Sequence, residues 1–486
     1  MFAISAYNLV LSTVYYDCET IAPQDGEEYR NSRIAYLDGE AFSLRTDPEL
    51  IEILEKLSQD ESLDDTKKRI VKWQLQDLEK SRYIPKDLYL EYSEFAMLAN
   101  QVWKKAKQTN DYKLFEPYLK KMIEYDKKLL SYRKTDLKGY DIALDDYEPG
   151  MTMEKYDEFF DLIRKELVPL IKKICEAEPI DESFVHKFYP EELQDKLSKK
   201  ILEYMDYDKG WGYLATTEHP FSNAISKWDS RITTHYYEDN LISSIFSIIH
   251  EAGHATYNHQ VRDDLADTYV FDNMSSGMHE SQSRLMENYL GRSAAFWDNN
   301  FEYMKSLFPE QLKDVSQEDF VKAANASKPS LIRTEADELT YPLHILIRYE
   351  IEKGLFDGTV DIDNLEQVWN DKYEEYLGIR PENASEGILQ DVHWAGGSFG
   401  YFPTYALGSG YAAQFMHYMR KDIDVDACMR NNDFRKIKEW LREHIHQYGG
   451  LYSPTEQIIM ATGEPFNPQY YIDYLKDKYS ALYNIK

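Results

Sequence analysis

The stretch Leu241–His254, LISSIFSIIHEAGH, decides the fold and the chemistry expected of this chain. Its apolar beginning predicts a buried helix, and His250 and His254 continue that helix. Positions i and i+4 share one helix face, so both imidazoles can bind one metal ion. Glu251 can reach a water at that metal and act as a general base in hydrolysis. Because unpaired polar groups are costly to bury, a metal partner is favoured over histidines that only find hydrogen-bond partners in a core.

A catalytic zinc site uses three protein ligands and keeps one position for water, so one ligand is missing from this stretch. The best candidate is Glu280, in the segment Met278–Arg284 of a second helix that is predicted to end near Gly291. The break between the two antiparallel helices is predicted at Ser275–Gly277.

Four other side chains remain open as the third ligand: His279, Glu287, Asp267 and Asp272. His279 is the runner-up, and it could instead orient Glu280 or bind substrate. For Glu280 itself the alternative is an acid that stabilises the first turn of its helix.

The chain has 486 residues and a formal net charge of −30. This charge disfavours nucleic-acid binding and predicts a solvated acidic surface. The three cysteines, Cys18, Cys175 and Cys428, are far apart and lack a CxxC spacing, which predicts a reduced, cytoplasmic setting without disulfides. The apolar start of the chain lacks the basic residues of a secretory signal, and no segment predicts a membrane span.

The predicted fold class is mainly α with a very small β element. Residues 1–200 show helix signals, among them the start at Asp47-Pro48, helices near Asp64–Lys80 and from Pro85, and one at Met153–Ala177 with a bend at Pro169. We expect one helical domain over 1–486, with a scaffold or lid lobe over 1–200 and a catalytic lobe over 201–486. The segment Arg231–Tyr237 is β-branched and aromatic, which predicts a short strand.

Short motifs along the second half match one known family in order. They are His219–Phe221 (HPF), Asp229–Thr233 (DxRxT), His250–His254 (HExxH), His279–Gln282 (HESQ), Ile332–Asp337 (IRxxAD) and Gly387–Trp394 (GxxQDxHW). On these motifs the chain resembles the carboxypeptidase Taq family of zinc metallocarboxypeptidases, over nearly its whole length. One such motif can arise by chance, whereas the full ordered set is specific.

The resemblance implies a large helical fold with a deep active-site groove, similar to neurolysin-like and angiotensin-converting-enzyme-like peptidases. It implies release of single residues from the carboxyl ends of peptides, with broad specificity and poor release of proline, by a homodimer. Zinc would be held by His250, His254 and Glu280, one ion per subunit, although cobalt suits the same ligands. Glu251 would take a proton from the attacking water and pass it to the leaving amine.

The oxyanion that forms in peptide hydrolysis needs a second donor. Candidates are His219, His393 and Tyr405. For Tyr405 the alternative is an ordinary core aromatic, but its position in a loop-like segment, Gly400–Tyr405, favours the site.

An exopeptidase must also bind a free carboxylate, for which the planar fork of arginine is well suited. Arg333 is the first choice and Arg231 the second. The alternative is an internal ion pair, of Arg333 with Asp337 or of Arg231 with Asp229. Gln390 and Asp391, with His393, are expected to orient ligands or line the groove.

Two rival functions stay open at this point. An oligopeptide endopeptidase would use the same metal chemistry without a carboxylate clamp. A metal-free acidic scaffold for basic peptides would leave Glu251 unexplained. The expected partners of the leading hypothesis are peptides with a free carboxyl terminus, and neither nucleic acid nor a membrane.

Overall fold

The computed structural model describes residues 2–485 and is built mainly from helices, as predicted. The helices before the first strand are α1 (Phe2–Thr20), α2 (Glu27–Arg45), α3 (Pro48–Ser58), α4 (Asp65–Ser81), α5 (Lys86–Thr109), α6 (Tyr112–Leu130), α7 (Tyr140–Tyr147), α8 (Met153–Cys175) and α9 (Glu191–Tyr204). The predicted helix starts at Asp47 and Asp64 are confirmed, because each carboxylate accepts a backbone N–H of the first turn. The helix α8 continues through Pro169.

A small sheet follows, made of β1 (Gly212–Thr216), β2 (Ser222–Ser226) and β3 (Asp229–Thr234). The central strand β3 pairs parallel with β1 and antiparallel with β2, which leaves β2 at an edge. The predicted strand Arg231–Tyr237 was placed about two residues too late, and β1 and β2 were not predicted. Along β3, Ser230 and Ile232 are buried, whereas Arg231 between them is partly exposed.

Helices then continue to the carboxyl end. They are α10 (Leu241–Gln260), α11 (Tyr269–Asp272), α12 (Ser276–Arg284), α13 (Ala294–Leu307), α14 (Gln317–Ala324), α15 (Tyr341–Asp357), α16 (Leu365–Leu377), α17 (Pro403–Asp422), α18 (Val425–Arg430), α19 (Phe434–His444), α20 (Pro454–Thr462) and α21 (Gln469–Leu482). A π-helix, Leu285–Gly291, extends α12 to the end that the sequence predicts. Short 3-10 helices include Arg333–Glu335 and His393–Gly396.

One large hydrophobic core joins the helices from α5 to α21 except α11, whose Val270 and Phe271 lie in a separate small cluster. The helices α3 and α4 pack around a small cluster of their own, formed by Leu54, Val71 and Leu78. In α1 only Ile4 and Tyr16 are buried, and in α2 only Ala41. The first four helices therefore cover the main core rather than contribute to it.

Within residues 2–485 we find no helix with the length and apolar character that crossing a bilayer requires.

Candidate metal centre

His250 and His254 on α10 and Glu280 on α12 lie together. The Nε2 atoms of His250 and His254 are 3.6 Å and 3.4 Å from Oε2 of Glu280, and the candidate ligand atoms all lie within 4.8 Å of one another. Metal–ligand bonds of about 2.1 Å at tetrahedral angles place ligand atoms about 3.4 Å apart. The donor set therefore fits a divalent metal ion without rearrangement.

Two glycines let the helices of this site approach closely. A Cβ atom on Gly253 of α10 would lie 2.7 Å from the carbonyl oxygen of Gln282 on α12. A Cβ atom on Gly408 of α17 would lie 2.7 Å from Cβ and Cγ of Glu280. Because side chains are excluded at both contacts, α12 is wedged between α10 and α17, and this packing places Glu280 against the two histidines.

The sequence left Glu287 open as a ligand. It instead contacts the imidazole nitrogen of His250 that faces away from Glu280. Nδ1 of His250 donates to Oε2 of Glu287 at 2.9 Å, which turns Nε2 toward Glu280. Arg284 and Arg292 donate to the same carboxylate at 3.1 and 3.0 Å. Burial opposes ionisation of Glu287, but Arg284 and His250 lower its pKa below the usual range.

Asp267 and Asp272, the other two open candidates, lie elsewhere. Both line a separate cavity of about 360 Å³ beside α1 and α4. The Asp272 carboxylate accepts a hydrogen bond from the Asn8 amide of α1 at 3.1 Å.

His279 orients the second histidine rather than joining the ligand set. Its Nε2 lies 3.0 Å from Oδ1 of Asn258, and its Nδ1 lies 2.6 Å from Nδ1 of His254. Burial lowers the pKa of His279 well below the ordinary value, so the ring is neutral. An amide oxygen only accepts, so His279 donates from Nε2 and accepts the Nδ1 proton of His254. The Nε2 lone pair of His254 is left for a metal.

The Glu280 carboxylate is held from two sides. Nε of Arg284 donates to Oε1 at 2.7 Å, and the Ser283 hydroxyl donates to Oε2 at 3.1 Å. Burial opposes its ionisation, but Arg284 and the two histidines lower the pKa of Glu280 below its usual range. A charged carboxylate with one oxygen facing the histidines is the form that a metal requires.

Glu251 lies beside the three candidate ligands and is only 7% exposed. Burial raises its pKa, and His250 and His254 oppose this rise. The Ser222 side chain of the edge strand β2 also opposes this rise. A desolvated carboxylate next to the candidate metal position is a suitable proton acceptor.

Replacing Glu287 with glutamine tests whether the orientation of His250 matters for metal binding. We expect metal affinity to fall by about 10- to 100-fold, the usual effect of removing a partner of a ligating histidine. Competition with a chromophoric chelator measures the affinity. The control is Glu302→Ala, which also removes one negative charge but at an exposed position on α13. Unchanged affinity in Glu287→Gln would contradict the role of this carboxylate.

A second group of predicted residues is built around Asp391. Nε and Nη2 of Arg333 donate to Oδ1 of Asp391 at 3.0 and 2.8 Å, and the Arg333 backbone N–H donates to Oε1 of Gln390 at 2.9 Å. Arg348 of α15 donates from Nε to Oδ2 of Asp391 at 2.7 Å. The predicted alternative partner of Arg333 was wrong, because Asp337 instead accepts hydrogen bonds from the Thr340 hydroxyl and backbone.

The charges in this group do not balance. Two buried guanidinium groups share the single carboxylate of Asp391, which leaves an excess of positive charge. The carboxylate of Glu352, one turn along α15 from Arg348, accepts the indole N–H of Trp394, and burial raises its pKa to about 7, so it compensates only in part. Buried positive charge without a partner is costly, so this group attracts an anion.

Tyr341 connects the two groups. Its hydroxyl accepts a hydrogen bond from Nη1 of Arg333 at 3.2 Å. The guanidinium carbon of Arg284, which holds Glu280, lies 4.3 Å from the centre of the Tyr341 ring. The metal candidate Glu280 is therefore linked through two side chains, Arg284 and Tyr341, to the arginine group, which is Arg333 and Arg348 with their shared Asp391.

His393 and Tyr405 lie next to Arg333. Nε2 of His393 is 3.2 Å from the Tyr405 hydroxyl, and the guanidinium carbon of Arg333 is 5.0 Å from the centre of the Tyr405 ring. Burial lowers the pKa of His393 to about 4, so the ring is neutral near pH 7.

The structure leaves Arg231 and His219 outside these contacts. Arg231 donates to both oxygens of Asp229, at 2.8 and 2.7 Å, and its guanidinium carbon lies 5.1 Å from the Tyr16 ring centre on α1. The ion pair considered as the alternative for Arg231 is thus present. His219 is exposed in the turn after β1, and its carbonyl accepts the Thr217 hydroxyl at 2.8 Å.

A cavity of about 510 Å³ lies at the amino-terminal end of α12. Ser275 and Ser276, at the start of α12, line it together with Tyr147 and with residues of α4. Glu280 lies one helical turn beyond Ser276, but neither it nor His250, Glu251 or His254 lines this cavity.

Arg348 and Arg284 were not singled out in the sequence. Arg348 lies in an otherwise apolar part of α15 and is completely buried. A lone arginine in such a helix is a signal for a buried ion pair, because a buried charge needs a partner. Nothing in the sequence indicates that this partner is Asp391.

Comparisons with known proteins identify the family of this chain. The family model described as carboxypeptidase Taq (M32) metallopeptidase matches residues 1–479. Carboxypeptidase 1 of Bacillus subtilis is 42% identical over 99% of this chain and 96% of its own length. Thermostable carboxypeptidase 1 of Thermus thermophilus is 38% identical over 96% of this chain and 94% of its own.

A solved structure, the M32 carboxypeptidase from Deinococcus radiodurans R1, superposes with a TM-score of 0.96 at 32% identity, covering 99% of this chain and 97% of that one. A family match over nearly the whole chain implies a divalent metal ion for the site described above. The chain therefore belongs to the carboxypeptidase Taq (M32) family of metallopeptidases and is a metallocarboxypeptidase.

Proposed function

We propose that this enzyme removes single residues from the free carboxyl ends of peptides, with broad specificity, and that its metal is zinc. The observation that carries the proposal is the position of the arginine group. Arg333 and Arg348, with their excess positive charge, are linked to the metal candidate Glu280 through Tyr341 and Arg284. A terminal carboxylate bound there would place the last peptide bond close to Glu251.

Zinc is the proposed metal because two imidazole nitrogens and one carboxylate are its usual catalytic ligands, one ion per subunit, with cobalt as a chemical substitute. When bound, the ion supplies Lewis acidity for peptide hydrolysis. His250, His254 and Glu280 would hold it, and the residues around them keep each ligand in its binding form. Metal analysis of protein purified without added metal tests the identity of the ion.

Glu251 is the proposed general base. It would accept a proton from the attacking water and deliver it to the amine of the leaving residue. Its burial supports this role, because a raised pKa makes the carboxylate a stronger base. Tyr405 and His393 are proposed as hydrogen-bond donors to the developing oxyanion. His219, exposed in its turn, stays a weaker candidate for the same task.

Arg333→Ala tests the carboxylate clamp. We expect KM for free-acid peptides to rise by about 10- to 100-fold, because hydrogen bonds to charged groups contribute about 1.5–3 kcal/mol. The change in kcat should be smaller. Arg231→Ala is the control, since its ion pair with Asp229 lies on the sheet. If only Arg231→Ala raises KM, the two assignments must be exchanged.

Comparing a free-acid peptide with its amidated form tests the exopeptidase activity directly. The free acid should be shortened one residue at a time in a mass-spectrometric ladder, and a chelator should stop the reaction. The amide should resist cleavage because it carries no charge for Arg333 and Arg348. Equal cleavage of both forms would instead indicate the oligopeptide endopeptidase that the sequence left open, although family membership favours the carboxypeptidase.

We also propose that the enzyme is a cytoplasmic homodimer that binds neither nucleic acid nor membranes. Three unpaired cysteines support a reducing compartment, and the net charge of −30 argues against nucleic acid. Exposed aromatic side chains on α2, Tyr29 at 66% and Tyr36 at 67%, support a further protein contact. Analytical ultracentrifugation tests the dimer.

A further inference from the structure

The first half of the chain reaches the arginine group through one face of α5. Donors from four positions on this helix, Tyr92, Asn100, Trp103 and Lys107, point to the same segment of the second half. Their spacing follows the helical period, so they form a single stripe. A helix in the half that the sequence predicts to be scaffold or lid thus contacts a segment that carries site residues.

The acceptors are main-chain carbonyls of residues 389–396, which contain Gln390, Asp391 and His393. The indole N–H of Trp103 donates to the Leu389 carbonyl at 3.1 Å, and Nζ of Lys107 donates to the Gln390 carbonyl at 3.0 Å. These two carbonyls immediately precede Asp391 in the chain. The donors on α5 therefore act on the backbone at the point where the shared carboxylate is attached.

The carboxyl-terminal end of residues 389–396 also accepts hydrogen bonds from side chains of α5. The Asn100 amide donates to the Ala395 carbonyl at 3.5 Å, and the Tyr92 hydroxyl donates to the Gly396 carbonyl at 3.4 Å. Just before the segment, the Ser385 hydroxyl donates to the Lys107 carbonyl at 2.6 Å.

This segment needs such support because it has little regular structure of its own. Between α16 and α17 the chain forms turns and the short 3-10 helix His393–Gly396. Carbonyls in such a stretch lack the partners that a helix or a sheet supplies, and buried ones must find donors elsewhere. The donors on α5 supply them.

We propose that Lys107 and Trp103 are positioning residues, which set the backbone of residues 389–391 so that Asp391 presents Arg333 to the carboxylate of the substrate. The inference rests on the proposed clamp role of Arg333. Neither residue touches substrate, and both act through Asp391.

The test compares Lys107→Met with Lys107→Arg in the full-length, metal-loaded enzyme. Methionine keeps the aliphatic stem and removes the donor, whereas arginine restores a charged donor. We expect Lys107→Met to raise KM for free-acid peptides by about 3- to 10-fold, with kcat and metal content within a factor of two, and Lys107→Arg to recover most of the loss. Lys104→Met, an exposed lysine of the same helix, is the matched control and should leave KM unchanged.

Trp103→Phe gives a second variant that keeps the packed ring and removes only the N–H. It should raise KM about 2- to 5-fold with the same selectivity for KM over kcat. If both variants leave KM unchanged, or if kcat, metal content and the thermal midpoint fall together without rescue by Lys107→Arg, the positioning role is wrong.

A double mutant separates this inference from the clamp itself. If Lys107 acts through Arg333, adding Lys107→Met to Arg333→Ala should cause no further rise in KM. A further rise equal to that of the single mutant would show that Lys107 acts independently and would overturn the inference. An Arg333→Ala variant with wild-type KM would instead overturn the proposed clamp.

Discussion

Glu251→Gln is expected to lower kcat by about 10²- to 10⁴-fold while the enzyme still binds one metal ion per chain, because a general base contributes about this factor. Glutamine has nearly the same shape and can keep the contact with Ser222 on β2. It cannot accept the proton of the attacking water. The rate of release of a carboxyl-terminal residue and the metal content of the same sample measure both halves of this expectation.

The metal measurement makes the result specific. Glu251 is adjacent in sequence to His250, and a variant that had lost its metal would also be slow. A slow variant with full metal content therefore isolates proton transfer. Rates like those of the wild type in Glu251→Gln would exclude this residue as the base, and another acceptor near His254 would have to be sought.

Glu280→Gln is expected to abolish activity by removing the metal. An amide is a poor ligand for zinc, and the remaining two histidines hold the ion only weakly. Metal content after dialysis should fall to about 0.1 per chain or less, and kcat/KM should fall by at least about 10³-fold, in line with the several kcal/mol that a catalytic metal supplies. Atomic absorption and a peptide assay on the same preparation measure this.

Glutamine is chosen because it limits the structural consequences. Its single carbonyl oxygen can still accept the hydrogen bond from Arg284, while the bond from Ser283 to the second oxygen is lost, so circular dichroism should show a folded chain. Glu302→Ala, which removes an exposed acid, controls for the change in net charge. Full metal occupancy in Glu280→Gln would mean that another side chain completes the ligand set.

Sequence reasoning reached the metal candidates because their spacing is local. His250 and His254 are one helical turn apart, so helical periodicity brings these two together, whereas Glu280 on α12 was predicted from a pair of antiparallel helices and from the family resemblance. The helix starts at Asp47 and Asp64 were equally local, because a cap is a contact within one turn. Such features depend only on a few consecutive residues and can be predicted from them.

The partners of these residues could not be predicted in the same way. Asp391 is 58 positions from Arg333 and 43 from Arg348. Glu287 was a plausible ligand until its contact with Nδ1 of His250 was seen. Each of these assignments depends on how α12, α15 and residues 389–396 pack together, and helical periodicity carries no information on that.

The strands β1 and β2 of the small sheet were missed for a different reason. The sequences of β1 and β2, GYLAT and SNAIS, contain few β-branched residues and are only five residues long. Their strand conformation comes from pairing with β3 rather than from intrinsic preference. The strand β3 itself was recognised because Ile232, Thr233 and Thr234 follow one another.

The close contacts of Gly253 and Gly408 limit how this enzyme can diversify. Any larger residue at either position would push α12 away from α10 or α17. The packing of the core and the geometry of the metal ligands would then both be disturbed. Substrate preference can therefore change only through residues that contact the peptide and do not take part in the packing of α10, α12 and α17. An engineer who wants a new preference should leave the residues packed against these two glycines unchanged.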